Sequence, residues 1–386
     1  MQGSKLGPIL FIFYINDLLR SLNDSSLGAH VGDVVVSALG FADDIVLISD
    51  SPEKLQKLID ICSLWATRNG MDFNTDKCKI LTLNTKGKEL TFKLNSDYLE
   101  KVEKIKYLGV VFSNTRLTSL YTRHFKRVID KAEKRINCIR HFGFDSDGLR
   151  PVTCIRMYKI LVRPILEYAA QILSYRHYYF TEKLRRNNLS EPTDFLLQLE
   201  QFQNRTLKLL IPCPKSTPPC ILRLFTGTIP LAAHIDILKL RYFWKLIHTE
   251  RKSFALDIYK FKRERFLESN VGYIHEIFNI CCKYNLLWVW HGIWNSMKTP
   301  KENPLARIKR EIVGYHLKKD IESAKKKNCI YTSLFLLGKK YGNKYRFEKF
   351  FESFGVFKNT EHRRFFMYSL FDTCAYSRKC LSVIHL

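Results

Sequence analysis

Two adjacent aspartates, Asp43 and Asp44, interrupt a run that is otherwise apolar and β-branched, from Val34 to Phe41 on one side and Ile45 to Ser49 on the other. Carboxylates at the tip of an apolar hairpin are costly to desolvate, so a protein that places them there usually holds a cation against them. The pattern predicts that Val34–Phe41 pairs antiparallel with Ile45–Ser49, with Ala42, Asp43 and Asp44 at the turn. Taken alone, the same residues also describe a plain polar turn.

The flanks narrow the choice. Pro8 to Leu22 carries a helical stripe of Ile9, Leu10, Phe13, Tyr14, Leu18 and Leu22, with proline in its first turn. Ser51-Pro52-Glu53 opens a second helix that should bury Leu55, Leu58, Ile59, Cys62, Trp65 and Ala66 and stop at Gly70. Strands are expected over Lys79–Leu83, Thr91–Leu94 and Ile105–Phe112. Helix, hairpin, helix, strand is the order left when a β-α-β-β-α-β sheet loses its first strand. The fold class expected is therefore α+β: a partial, ferredoxin-like sheet domain in residues 1–112, followed by mostly helical regions.

Downstream, Thr118–His141 reads as a helix with Phe125, Val128, Ile129, Ala132, Ile136 and Ile139 on one face. Arg123, Lys126, Arg127, Lys131, Lys134 and Arg135 fall on the other, where they could follow a phosphate backbone or simply face solvent. Leu149–Leu173 is apolar and helical with a break at Pro164, and Glu182–Asp194 reads as a linker. Phe195–Leu210 is helical, Pro212–Pro219 a loop and Ile235–His248 an amphipathic helix. These segments divide as 113–180, 181–250 and an unassigned basic region, 251–386.

Lys and Arg number 63 against 37 Asp and Glu, a formal net charge of +26 that favours a polyanionic partner. The excess lies from Lys77 onward, whereas acids outnumber bases between Gln2 and Glu53. An acidic portion joined to basic clamps suits a nucleic-acid enzyme better than a lipid-surface protein. The chain is expected to act off the membrane, intracellularly, with its 11 cysteines as reduced thiols. Cys374, Cys380 and His385, with His362, match no familiar zinc spacing.

Gln2-Gly3-Ser4, Gly7-Pro8-Ile9-Leu10-Phe11, Tyr14-Ile15-Asn16-Asp17 and Phe41-Ala42-Asp43-Asp44 together resemble the reverse transcriptases of non-LTR (LINE-type) retrotransposons. Asn69-Gly70-Met71-Asp72-Phe73-Asn74, Lys77 and Tyr107-Leu108-Gly109-Val110 extend the likeness to residue 112, and a looser match continues to about residue 250. The resemblance implies a polymerase palm followed by thumb-like helices, an RNA template, a DNA primer and deoxynucleotide triphosphates. It implies two Mg²⁺ ions at Asp43 and Asp44, and Lys77 as general acid toward the leaving pyrophosphate. Gln2, Gly3 and Ser4 would lie against template and nucleotide, and Tyr107, Leu108 and Gly109 would grip the primer end. Family members also carry an aspartate-bearing strand and basic fingers before the Gln-Gly-Ser loop, which this chain does not supply. An N-terminally truncated enzyme, inactive alone and nuclear if functional, is expected; the rival is a nucleic-acid-binding fragment without chemistry.

Overall fold

The computed structural model describes residues 5–83, 90–114, 122–141, 151–173, 195–211, 213, 216–266, 272–293 and 303–326. They mix helices with short strands and group into two compact units, one within Met1–His124 and Thr249–Ser269, the other within Phe125–His248 and Asn270–Leu386. The expected linker at Glu182–Asp194 and the Cys374–His385 group lie outside the described residues.

The first unit opens with α1 (Gly7–Asp24), then hairpin β1 (Ala29–Val31) and β2 (Val34–Val36), hairpin β3 (Ala38–Phe41) and β4 (Asp44–Leu47), and α2 (Pro52–Arg68). Short ladders follow: β5 (Lys79–Ile80), β6 (Lys93–Leu94), β7 (Asp97–Tyr98), β8 (Glu100–Lys101), β9 (Lys104–Tyr107) and β10 (Val110–Ser113). α2 begins as expected, since Ser51 Oγ accepts the Lys54 N–H at 3.2 Å, and it ends at Asn69 and left-handed Gly70. Its Leu58, Cys62 and Trp65 pack with Ile15, Leu18 and Leu22 of α1 and Ala38 of β3, while Ile59 packs with Ile80, Phe92 and Leu94. Full burial of each such leucine contributes roughly 1.5–3 kcal/mol.

Three expectations are corrected here. Val34–Phe41 is not one strand: it divides at Ser37 because the N–H groups of Ser37 and Ala38 both donate to Asn23 Oδ1 at 3.1 Å instead of to a neighbouring strand. The upstream part pairs with β1 and only Ala38–Phe41 pairs with the aspartate side. The stripe on α1 is also displaced, for the helix buries Ile15, Leu18 and Leu22 and leaves Ile9, Leu10 and Phe13 exposed. Finally, the strands form five two-stranded ladders among the described residues rather than one sheet, and Ile105–Phe112 is a hairpin, not a strand. All of the described strands are two to four residues long, too short to order a wider sheet without a further strand beside them.

The remainder of the first unit comes from far downstream. Helix α9 (Phe254–Glu264) packs against β2, and at the β1–β2 turn a Cβ on Gly32 would fall 2.1 Å from the Phe261 ring. Gly32 also holds φ +62°, in the left-handed region. Gly32→Ala should therefore destabilise this unit by about 1–3 kcal/mol, with part of the loss recovered by adding Phe261→Ala. Urea unfolding measures both; a neutral Gly32→Ala would show that α9 does not seat on this turn.

The second unit contains α3 (Thr122–Arg140), α4 (Pro151–Met157), α5 (Arg163–Leu166), α6 (Phe195–Leu210), α7 (Pro219–Thr226), α8 (Leu231–Ile247), α10 (Tyr273–Lys283), α11 (Leu287–His291) and α12 (Pro304–Lys325). The break foreseen near Pro164 is a π-helical turn, Tyr158–Val162, in which the Arg163 N–H reaches back to the Tyr158 carbonyl. Proline lacks the N–H that would continue the α-helical ladder, and the wider turn absorbs the mismatch. α8 packs against α6, α10 and α12 and buries both apolar residues and two charged ones, Asp236 and Lys239. The described cysteines are free thiols, several held well above the ordinary thiol range by burial, Cys62 and Cys281 at about 12.

Candidate active site

Hairpin β3–β4 closes with Phe41 opposite Asp44 and a two-residue turn of Ala42 and Asp43. Ala42 takes φ +52°, a left-handed conformation that costs an L residue roughly 1–2 kcal/mol and is kept where the surroundings impose it. Ala38 and the half-buried Ile45 and Leu47 tie the base of the hairpin to the core, whereas Phe41, Ala42, Asp43 and Asp44 are exposed. α1 comes close to this hairpin because residue 40 is glycine: a Cβ there would lie 2.8 Å from Leu19 Cδ1. Both carboxylates thus stand at a projecting tip, and among the described residues neither makes a hydrogen bond or ion pair.

The second hairpin, β9–β10, also turns on two residues, Leu108 at φ +44° and Gly109 at φ +82°. Two successive positive φ values suit the right-handed twist of the flanking strands, but for leucine the conformation is uncommon. Tyr107 precedes the turn and is half-buried; burial and then the Asp44 carboxylate hold its hydroxyl above the usual phenol range. The Asp44 carboxylate is thus among the charges that act on the Tyr107 hydroxyl.

Behind the tip, α1 and α2 are locked together. The Tyr14 hydroxyl donates to the Asn69 carbonyl at 2.9 Å, its ring meets Trp65 edge-on at 5.3 Å, and Trp65 Nε1 donates to Asp17 at 3.3 Å. Asp17 is thus a helix-packing residue, while Asp33 sits in the β1–β2 turn. Asn23 escaped the sequence reading: its amide donates to the Leu19 and Ala38 carbonyls while its oxygen accepts from Ser37 and Ala38. That clamp sets where β3 starts and hence where Asp43 and Asp44 end up. The only sequence signal was an amide residue near a helix end, close to a strand run.

Lys77 is exposed in the turn before β5, held by an Asn74 side-chain bond to its N–H at 3.2 Å. Among the described residues no hydrogen bond or ion pair joins it to Asp43 or Asp44. Gln2, Gly3 and Ser4 lie outside the described residues. On α3, Phe125, Val128, Ala132, Ile136 and Ile139 are buried, and Arg123, Lys126, Lys131 and Lys134 are exposed with Arg127 half-buried. Acids Asp130 and Glu133 share the outer face, Glu133 paired with Arg205, and Arg123 stands 3.6 Å from Glu103.

Two unpaired carboxylates are hard oxygen donors of the kind that divalent Mg²⁺ prefers, so the residues present fit such an ion as a partial ligand set. Among the described residues no three His, Cys, Asp or Glu side chains cluster to complete one.

Residues 1–112 match the family of reverse transcriptases (RNA-dependent DNA polymerase). The chain is 36% identical over 126 residues to the retrovirus-related Pol polyprotein from type-2 retrotransposable element R2DM of Drosophila melanogaster, covering 30% of this chain and 12% of that protein. It is 29% identical over 144 residues to the Pol polyprotein from type-1 retrotransposable element R2 of Popillia japonica, covering 34% of this chain and 24% of the relative. The R2 polyprotein of Nasonia vitripennis is 31% identical over 124 residues, 12% of its own length. The matched part is thus at most about a quarter of these relatives.

Proposed function

We propose that this chain, whose first 112 residues carry the reverse-transcriptase match, is part of an RNA-directed DNA polymerase of a non-LTR retrotransposon. The observation that carries this is an exposed Asp43-Asp44 tip on a two-residue hairpin turn, on elements that the family match covers. In this reading residues 1–112 are palm-like and the helices within 113–180 are thumb-like. Asp43 and Asp44 would hold Mg²⁺, which when bound stabilises the charge that develops in phosphoryl transfer. Tyr107 and the raised turn of Leu108 and Gly109 position a primer end beside Asp44, and Lys77 serves the leaving pyrophosphate once substrate draws it in. Gln2, Gly3 and Ser4 contact template and nucleotide. RNA template, DNA primer and deoxynucleotide triphosphates are the ligands, and the site of action is nuclear. Template-directed incorporation of labelled nucleotide by the chain joined to a segment that supplies a further strand-borne aspartate, scored with and without Asp43, tests the reading.

One observation favours a second reading, a nucleic-acid-binding chain without chemistry: the ligand set is incomplete among the described residues. Both readings require binding, for which α3 is the sequence-derived candidate. Alanine at Lys126, Arg127, Lys131 and Lys134 should weaken binding of an RNA/DNA duplex about equally for all sequences. It should also flatten the dependence of log K on log salt, by about one unit for each phosphate that is no longer neutralised. Unchanged affinity and slope would assign this face to solvent or to a protein.

A further inference from the structure

The C-terminal end of α8 carries an aromatic stack that reaches the surface. His248 follows the last residue of the helix, and its ring lies on the Trp244 indole with centroids 3.9 Å apart and planes 28° from parallel. Its Nδ1 stands 2.9 Å from the Trp244 carbonyl, which can only accept, so Nδ1 carries the hydrogen and donates it. Stack and hydrogen bond together fix the ring. Trp244 is buried and meets Trp288 of α11 edge-on at 5.2 Å, so the support under the imidazole belongs to the core. His248 is nonetheless exposed. With one face on Trp244, the face it turns to solvent is the outer one.

A flat ring held rigid at the surface with its outer face open has the form of a nucleobase platform, because every base offers a π face and stacking needs no particular pattern of base edges. Little of the ordering cost that a mobile side chain would incur on binding arises here. Positive charge stands beside the stack. Lys245, three residues before His248, is exposed, and the Arg307 guanidinium of α12 lies over the Trp288 ring at 5.6 Å. Glu311 stands 3.9 Å from Arg307 and 2.9 Å from Arg310, so one carboxylate serves two guanidinium groups. On a chain of net charge +26, the flat ligand that suits such a place is one carried on a polyanion. We infer that the outer face of the His248 ring stacks an unpaired base of a single-stranded nucleic acid. This rests on the nucleic-acid-binding reading above and adds to it a contact made to bases, where the α3 face would meet only phosphates.

The test is binding of a short fluorescent single-stranded RNA by the full 386-residue chain, beside an abasic strand of the same length and the same RNA as a duplex. His248→Ala should weaken binding of the intact single strand roughly five- to twentyfold without changing its salt slope, and should leave binding of the duplex and of the abasic strand as they were. His248→Phe, which keeps a ring on Trp244, should bind the single strand within about twofold of the unaltered chain. His248→Asn repeats the alanine comparison with a small polar group at the helix end, and circular dichroism establishes that each variant is folded. If the α3 substitutions weaken binding while His248→Ala and His248→Asn leave the single strand bound as before, the platform is overturned and the broader reading stands. A salt slope lowered by about one unit in His248→Phe as in His248→Ala would make the residue a phosphate contact and overturn the stacking. An equal loss on the abasic strand overturns it too. Absence of nucleic-acid binding by the unaltered chain overturns both readings.

Discussion

Primer extension on an RNA template should fall by roughly a hundredfold or more when Asp43 is replaced by asparagine, because a lost metal ligand removes several kcal/mol of charge stabilisation. The assay needs a complete ligand set, since Asp43 and Asp44 alone replace little of the Mg²⁺ hydration shell, which that ion surrenders reluctantly. With only the two carboxylates that the described residues bring to this tip, the 386-residue chain by itself is expected to bind nucleic acid yet extend a primer no faster than its Asp43→Asn control. Joined to a segment supplying a strand-borne aspartate and basic fingers, it should gain extension that Asp43→Asn abolishes. Strong Asp43-dependent extension by the unsupplemented chain would refute the incomplete site and make Asp33 the first carboxylate to mutate.

Lys239→Met should destabilise the second unit by about 3–5 kcal/mol. The Lys239 ammonium is wholly buried and donates to Glu276 Oε2 at 2.8 Å and to the Leu173 carbonyl at 2.6 Å. Removing it strands a carboxylate away from water, which costs far more than the pair contributes while intact. The double variant Lys239→Met with Glu276→Leu should therefore recover most of the loss. Urea unfolding of the two single variants and the double variant reads the coupling directly. A single substitution costing less than about 1 kcal/mol would mean that water reaches the pair.

Some of this was legible in the sequence. The Ser51-Pro52-Glu53 start and Gly70 stop of α2 read correctly because capping is a local negotiation between a side chain and its nearest backbone groups. The aspartate hairpin was legible for a similar reason: alternation and turn composition act over a few residues. The buried face of α3 followed from helical spacing alone. The division of Val34–Phe41 was not legible, since it depends on Asn23, more than ten residues upstream, offering its amide to Ser37 and Ala38. Nor was the π-turn before Pro164, where the sequence announced a disturbance but not its form.

By itself, then, the sequence determined the two helices that flank the aspartates, the hairpin that exposes Asp43 and Asp44, the basic helix and the likeness to non-LTR reverse transcriptases. Each of these rests on interactions between residues near one another in the chain, or on a motif order that needs no coordinates. Tertiary structure alone decided that α9 returns to complete the first unit, that Asp44 bears on Tyr107, and that Lys239 and Glu276 meet as a buried pair. Those meetings join residues tens to hundreds of positions apart. They are set by how helices and hairpins bury their apolar faces together, which no local pattern encodes.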